Sequence, residues 1–172
     1  TTLSNDSVAL ASNSHIALDG STIDNLETGG LTEASLNTAF LSLQMQKSQD
    51  GTLGGHSPAV LLVPPALFKS ANEIAKSRLR SGTANNDMNY YSDLFPGLQV
   101  VQSPFLAASQ GGSDTAFWLL SKDHSVMRYV RQGLVTDMVP YQNQRNNNYI
   151  YKAEYREVVA PISFEGLVGN SG

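Results

Sequence analysis

The chain has 172 residues and a mass of 18.5 kDa, the size of one ordinary domain with enough length to bury a core. Its net charge of −4 and pI near 5.2 exclude the basic footprint of a nucleic-acid binder, and zero cysteines exclude a disulfide framework, a zinc ribbon and thiol chemistry. Charged residues reach only 15%, and Ser, Thr, Asn and Gln fill 52 positions, so the surface is polar through hydroxyls and amides more than through ions.

Residues 1–30 hold Gly20, Gly29 and Gly30 and the acids Asp6, Asp19, Asp24 and Glu27. Only brief apolar pairs, Val8/Leu10 and Ile16/Leu18, punctuate them. They read as an irregular lead-in, ordered where it packs on the rest. The first basic residue is Lys47, so the positive region of a signal peptide is missing, and a start at Thr1 points to a processed or truncated piece.

A helix is predicted over 32–47. Thr32 can cap it, Leu31 and Leu36 have staple spacing, and Leu36, Ala39, Phe40 and Leu43 form one apolar stripe. Asp50-Gly51 then turns the chain. Residues 59–63, Ala-Val-Leu-Leu-Val, read as a short strand buried on both faces. Pro64-Pro65 ends it and opens a second helix to about residue 81, with Leu67, Ala71, Ile74 and Ala75 inward. Arg78 and Arg80 suit its last turn and Gly82 its stop. With a strand at 98–101 this makes a βαβ-like unit. The apolar run 59–68 is too short for a bilayer and carries two prolines.

Residues 83–97 show no periodicity and read as a loop, unusual in holding Tyr90, Tyr91 and Phe95. Strands are expected at 115–120, around Trp118, at 125–131 and at 135–139. The amide-rich 141–148 reads as a loop tip. Residues 149–157 alternate: Tyr149, Tyr151, Ala153 and Tyr155 share one face, and Ile150, Lys152, Glu154 and Arg156 the other. A last short strand is expected at 162–164.

No reactive constellation is legible. His15, His56 and His124 lack ligand spacing and read as exposed loop residues. A hydrolase would want a nucleophile elbow, and the strand-to-helix corner holds Pro64-Pro65 instead of a serine. Gly51-Thr52-Leu53-Gly54-Gly55 precedes a strand, where a phosphate cradle needs a helix N-terminus. The reading is therefore of a non-enzyme with no catalytic, cofactor or metal residues. Lys152, Glu154 and Arg156 form the most orderly charged group. They fit either a solvated strand face with ion pairs or a contact with an oppositely charged neighbour.

The order of motifs is more specific than any one of them. Met45-Gln46-Lys47-Ser48-Gln49-Asp50-Gly51 precedes Leu61-Leu62-Val63-Pro64-Pro65-Ala66-Leu67. Then come Ser81-Gly82-Thr83-Ala84-Asn85-Asn86-Asp87-Met88-Asn89, Leu98-Gln99-Val100-Val101-Gln102-Ser103-Pro104-Phe105-Leu106, and Ala116-Phe117-Trp118-Leu119-Leu120. This series resembles the major capsid (head) proteins of tailed bacteriophages and prophages, in particular the group of the Mu-like prophage major head subunit. That resemblance implies an α+β class, a mixed β-sheet with flanking helices in the Hong Kong 97-like capsid fold. It covers the C-terminal part of such a subunit, since no long spine helix precedes Leu31.

By this resemblance, 1–30 is the lead-in and 31–57 a peripheral-domain helix and turn. Residues 58–135 are the axial-domain core, and 136–172 are strands returning to the peripheral domain. The implied function is a structural shell subunit that assembles into pentamers and hexamers around the genome. It would act in the virion capsid, be assembled in the host cytoplasm, and meet scaffold and portal proteins; no membrane and no sequence-specific nucleic acid are implied.

A shell protein needs adaptable surfaces in place of an active site. Interfaces are poor in Lys, Glu and Asp and rich in Tyr, Phe and Met. The candidate contact residues are accordingly Asn86, Tyr90, Tyr91, Phe95, Lys152, Glu154 and Arg156. A mildly acidic lining also avoids holding DNA. Two other readings stay open from residues alone: an encapsulin-type nanocompartment shell, and a carbohydrate- or peptide-binding module using the Asn/Tyr-rich segments.

Overall fold

The computed structural model describes residues 6–79, 88–140 and 149–172. The lead-in forms a small hairpin of β1 (His15–Ile16) and β2 (Thr22–Ile23), then β3 (Leu26–Glu27). Helix α1 (Glu33–Gln44) follows, then β4 (Pro58–Val63), α2 (Phe68–Lys76), α3 (Tyr90–Leu94) and β5 (Gln99–Gln102). The chain closes with β6 (Phe117–Ser121), β7 (Val126–Pro140), β8 (Tyr149–Pro161) and β9 (Leu167–Asn170).

Five strands build one mixed sheet in the order β3-β9-β6-β4-β5. β3 runs parallel to β9 and β4 parallel to β5, while β6 is antiparallel to both β4 and β9. The architecture is α+β, with helices packed on one face of the sheet. On that face the row Leu61, Leu119 and Val168 lies under Leu36, Ala39, Phe40 and Leu43 of α1 and Ala71 and Ala75 of α2. These side chains are essentially excluded from water.

Helix α1 is the element the residues specify most fully. The Thr32 hydroxyl accepts from the Ser35 N–H at 3.1 Å, and Ser35 Oγ accepts from the Thr32 N–H at 2.9 Å, a reciprocal cap. All four stripe residues are buried. The β4–α2–β5 unit also forms as expected, with β4 and β5 in parallel register from Val60↔Gln99 to Val63↔Gln102.

Helix α2 ends five residues before its expected limit. Ser77 is extended, with φ −65° and ψ 134°, so Lys76 is the cation in the last turn and Arg78 lies beyond it. The stop is a side chain from downstream. Asn89 Nδ2 donates to the carbonyls of Ile74 and Ser77, each at 2.7 Å. Its Oδ1 accepts from the Tyr91 N–H at 3.1 Å and so opens α3. The expected loop at 83–97 is therefore helical at Tyr90–Leu94. Arg80, Gly82, Asn85 and Asn86 lie outside the described residues. Because Asn89 closes one helix and starts the next, Asn89→Ala should cost about 2 kcal/mol, read as a lowered urea midpoint at unchanged slope.

The C-terminal part differs most from the sequence reading. The strands expected at 125–131 and 135–139 are one 15-residue strand, β7, interrupted by bulges between Val130 and Val135. β8 runs on to Pro161, and the last strand is β9 at Leu167–Asn170, beyond the expected 162–164. There β9 lies inside the main sheet between β3 and β6. The expected boundary at 135/136 falls within β7.

The lead-in is tied down by a buried amide. Asn25, fully excluded from water, accepts from the Ser12 N–H at 2.8 Å. It donates to the carbonyls of Leu10 at 2.9 Å and Leu167 at 3.2 Å. Gln46, just past α1, donates to the same Leu167 carbonyl at 3.3 Å and accepts from the Gly166 N–H at 2.9 Å. A small second core of Ala17, Ile23 and Phe164 sits beside this clamp.

Candidate functional site

Among the described residues two surfaces are left largely uncovered. The first is the ribbon of β7 and β8. Its strands pair antiparallel from Val126↔Pro161 to Pro140↔Tyr149 and pack extensively on no other described element. At roughly 3.3 Å per residue, 13 residues reach about 43 Å. The bulges let the long strand twist but leave both faces open. Met127, Tyr129, Val130, Leu134, Val135, Met138, Tyr151, Tyr155, Val158 and Val159 are all exposed, Tyr151 at 80%. A lone two-stranded ribbon is marginal in water, so this much apolar surface calls for cover.

Register sorts the ribbon's faces. Tyr129 opposes Val158 and Met127 opposes Ala160, and Arg156 and Glu154 continue the same face along β8. Val159, Glu157, Tyr155 and Tyr151 lie on the other face. Arg128 Nε donates to Glu157 Oε2 at 2.7 Å, and Lys152 pairs with Glu154. Both are exposed pairs of small energetic weight.

The second surface is the sheet face opposite the helices. β4 is expected to be buried on both sides, but its buried apolar residues Ala59, Leu61 and Val63 share one face, and Val60 and Leu62 on the other are half-buried. Partners in register place Val101, Leu62, Trp118, Gly169 and Leu26 in one row across all five strands. Leu62, Trp118, Gly169 and Leu26 of this row line an apolar groove of about 610 Å3, together with Ala9–Ala11, Leu106 and Gly112. Gly169 makes the floor possible. A Cβ there would stand 2.6 Å from the Ala11 Cβ and 3.0 Å from Trp118 Cζ3, closer than side chains pack. The groove gave no signal in the sequence, because its row exists only through strand register.

Asp24 and Glu27 lie close to Leu26 in the chain, but neither lines the groove. Asp19 lies further along the lead-in. The Ser21 hydroxyl, then the Ser21 N–H, hold its carboxyl below the usual carboxylate range.

The expected contact residues scatter. Lys152, Glu154 and Arg156 come together on the ribbon, sharing one face as the alternation predicted. Asn86 lies outside the described residues, and Tyr90 opens α3. Tyr91 is 3% exposed, its ring 5.3 Å from that of Phe40, and its hydroxyl donates to the Glu33 carbonyl at 3.1 Å. It belongs to the subunit's own core and is not carried forward as a contact residue. Phe95 is half-buried, 4.9 Å from the Phe40 ring.

The histidines also differ from the reading of exposed loop residues. His15 is fully buried, stacked 4.2 Å from Phe164, with Nδ1 2.7 Å from Asp6 Oδ2. His56 Nε2 and His124 Nδ1 are buried without a hydrogen-bond partner among the described residues. Among the described residues no three His, Asp or Glu side chains gather as a metal site, and no helix is long and apolar enough to cross a membrane.

A mixed sheet shielded by helices on one face, an apolar groove on the other and a projecting apolar ribbon make an α+β fold compatible with a capsid subunit. The chain belongs to the phage capsid protein family, whose model matches residues 1–170. It is thus a structural subunit of a bacteriophage capsid, a member of a non-enzymatic family whose proteins assemble into oligomeric shells in the virion. A search of curated proteins finds no match.

Proposed function

We propose that the chain is a major head subunit of the Hong Kong 97-like fold, akin to the Mu-like prophage head group, forming pentamers and hexamers around the genome. The observation that carries this is the β7–β8 ribbon, apolar on both faces and covered on neither. In this reading the five-stranded sheet and its helices make the axial body and the ribbon reaches toward the periphery. Lys152, Glu154 and Arg156 are contact residues on the ribbon; Tyr90 and Phe95 mark a second contact at the two ends of α3, and Asn86, outside the described residues, is a further contact residue. Rings of five and six need a heterologous interface, one face meeting a different face of the next copy. Each contact is modest, and repetition around a closed shell supplies the strength. Assembly takes place in the host cytoplasm with scaffold and portal proteins as partners.

Electron microscopy and sedimentation of the purified protein test this. Rings and closed shells are expected under assembly conditions. Monomers alone, under every condition of salt, crowding and concentration, would overturn it.

A further inference from the structure

The order β3-β9-β6-β4-β5 leaves β3 and β5 as the two edges of the main sheet. An edge strand offers unpaired N–H and C=O groups to any extended chain, and proteins blunt such edges with short strands, charges, prolines or bulges. β3 is two residues long and ends in Glu27. The ribbon's free edges are blunted as well: β7 carries Arg128, Arg131, Asp137, its bulges and Pro140, and β8 carries Lys152, Glu154 and Pro161. β5, Gln99-Val100-Val101-Gln102, has none of these devices, and no charge or proline stands between Pro96 and Pro104. Gln99, Val101 and Gln102 are exposed, Val101 at 40%.

Alternation fixes which main-chain groups face outward. The Ser103 N–H donates to the Val63 carbonyl of β4 at 3.0 Å. Neighbouring N–H groups of a strand point to opposite edges, so those of Val101 and Gln99 also turn to β4, and those of Val100 and Gln102 turn to the open side. Val100 packs on the core under the helices, and Val101, in register with Leu62, lies on the groove face.

We propose that β5 pairs antiparallel with β5 of a second copy, about a two-fold axis through Val101. Val100 and Gln102 of one copy then exchange N–H to C=O bonds with Gln102 and Val100 of the other, and Val101 meets its own counterpart on the groove face. A centre on Val100 instead would set Gln102 against Leu98, whose N–H already donates to the Phe95 carbonyl at 2.9 Å. The occupant is a second β5 because, among the described strands of more than two residues, it alone has a free edge and brings no charge, proline or bulge with it. The contact goes beyond the capsid reading and does not depend on it: an isologous pair joins copies in twos and closes no ring of five or six.

The chain has no cysteine, so introduced thiols report alone. Sedimentation of the purified protein, in buffer that gives no particles, should show dimers. In this register Val101 faces Val101 with Cα atoms about 4.5 Å apart, within the roughly 4.4–6.8 Å that a disulfide spans, so oxidised V101C should give a linked dimer. Q99C and S103C should each stay unlinked alone and link when mixed, because Gln99 of one copy faces Ser103 of the other. A monomer at every concentration, V101C without linkage, or Q99C linking alone as readily as V101C overturns the pairing. V101K and V101E alter an exposed position and leave the bonds to β4 in place. Each alone should weaken the dimer by roughly tenfold through like charges directly opposed, and an equal mixture should restore it. Folded V101K and V101E that stay monomeric when mixed contradict the pairing. Dimers without shells uphold this contact and count against the capsid reading; shells without V101C linkage overturn this contact alone.

Discussion

Tyr91→Ala should destabilise the isolated subunit by about 3–5 kcal/mol, whereas Tyr129→Ala should leave it folded and poorly assembled. The two tyrosines differ only in what surrounds them. Tyr91 is 3% exposed, packs on Phe40 and ties α3 to the start of α1 through the Glu33 carbonyl. Removing its ring opens a cavity between α1 and α3 and loses the hydroxyl's bond to the Glu33 carbonyl. Against a total stability of roughly 5–15 kcal/mol, such a loss shifts the urea midpoint visibly. Tyr129 stands 46% exposed on the ribbon opposite Val158. Its truncation costs the subunit about 0.2–1 kcal/mol of cross-strand contact, but removes an aromatic anchor worth about 2 kcal/mol of binding, roughly thirtyfold in affinity. Urea titration and particle yield on the same two variants read the contrast.

The amide clamp carries the second large effect. Asn25→Ala leaves the Ser12 N–H and the Leu10 carbonyl without their partner, and Gln46→Ala does the same to the Gly166 N–H. Each change should cost about 2–3 kcal/mol, because a buried group stripped of its partner keeps its desolvation penalty. The two amides share the Leu167 carbonyl, so the double variant should fall short of, or exceed, the sum by at least about 0.5 kcal/mol. Hydrogen exchange should show the lead-in amides losing protection in Asn25→Ala before those of β6 do. Exact additivity, with the lead-in still protected, would mean that the clamp does not hold it.

What could be read from the residues alone was what short-range pattern encodes. The stripe Leu36, Ala39, Phe40 and Leu43 repeats at helical spacing behind a Thr32 cap, and Lys152, Glu154 and Arg156 alternate against tyrosines at strand spacing. Helix α3 was not legible, because five residues hold too little pattern and its cap, Asn89, works partly through carbonyls 12 and 15 residues upstream. β9 was hidden by Gly169, which weakens a strand by propensity yet is required where Ala11 and Trp118 close in. The single long β7 was split by bulges that break its alternation. His15 looked like a loop residue because the Phe164 and Asp6 that bury and bind it lie far off or in glycine-poor surroundings without periodicity. The groove depends wholly on register between strands up to 143 residues apart, from Leu26 to Gly169, and no local signal reports it.

The central claim, that this protein works as a repeated tile of a viral shell, is tested most directly by cryo-electron microscopy of intact virions. The account predicts shell density in which the β3-β9-β6-β4-β5 sheet recurs around every five-fold and six-fold position, with a β-ribbon crossing to the neighbouring copy. Shell density that cannot hold this sheet at those positions, with the chain found elsewhere in the particle or missing from it, would contradict the account.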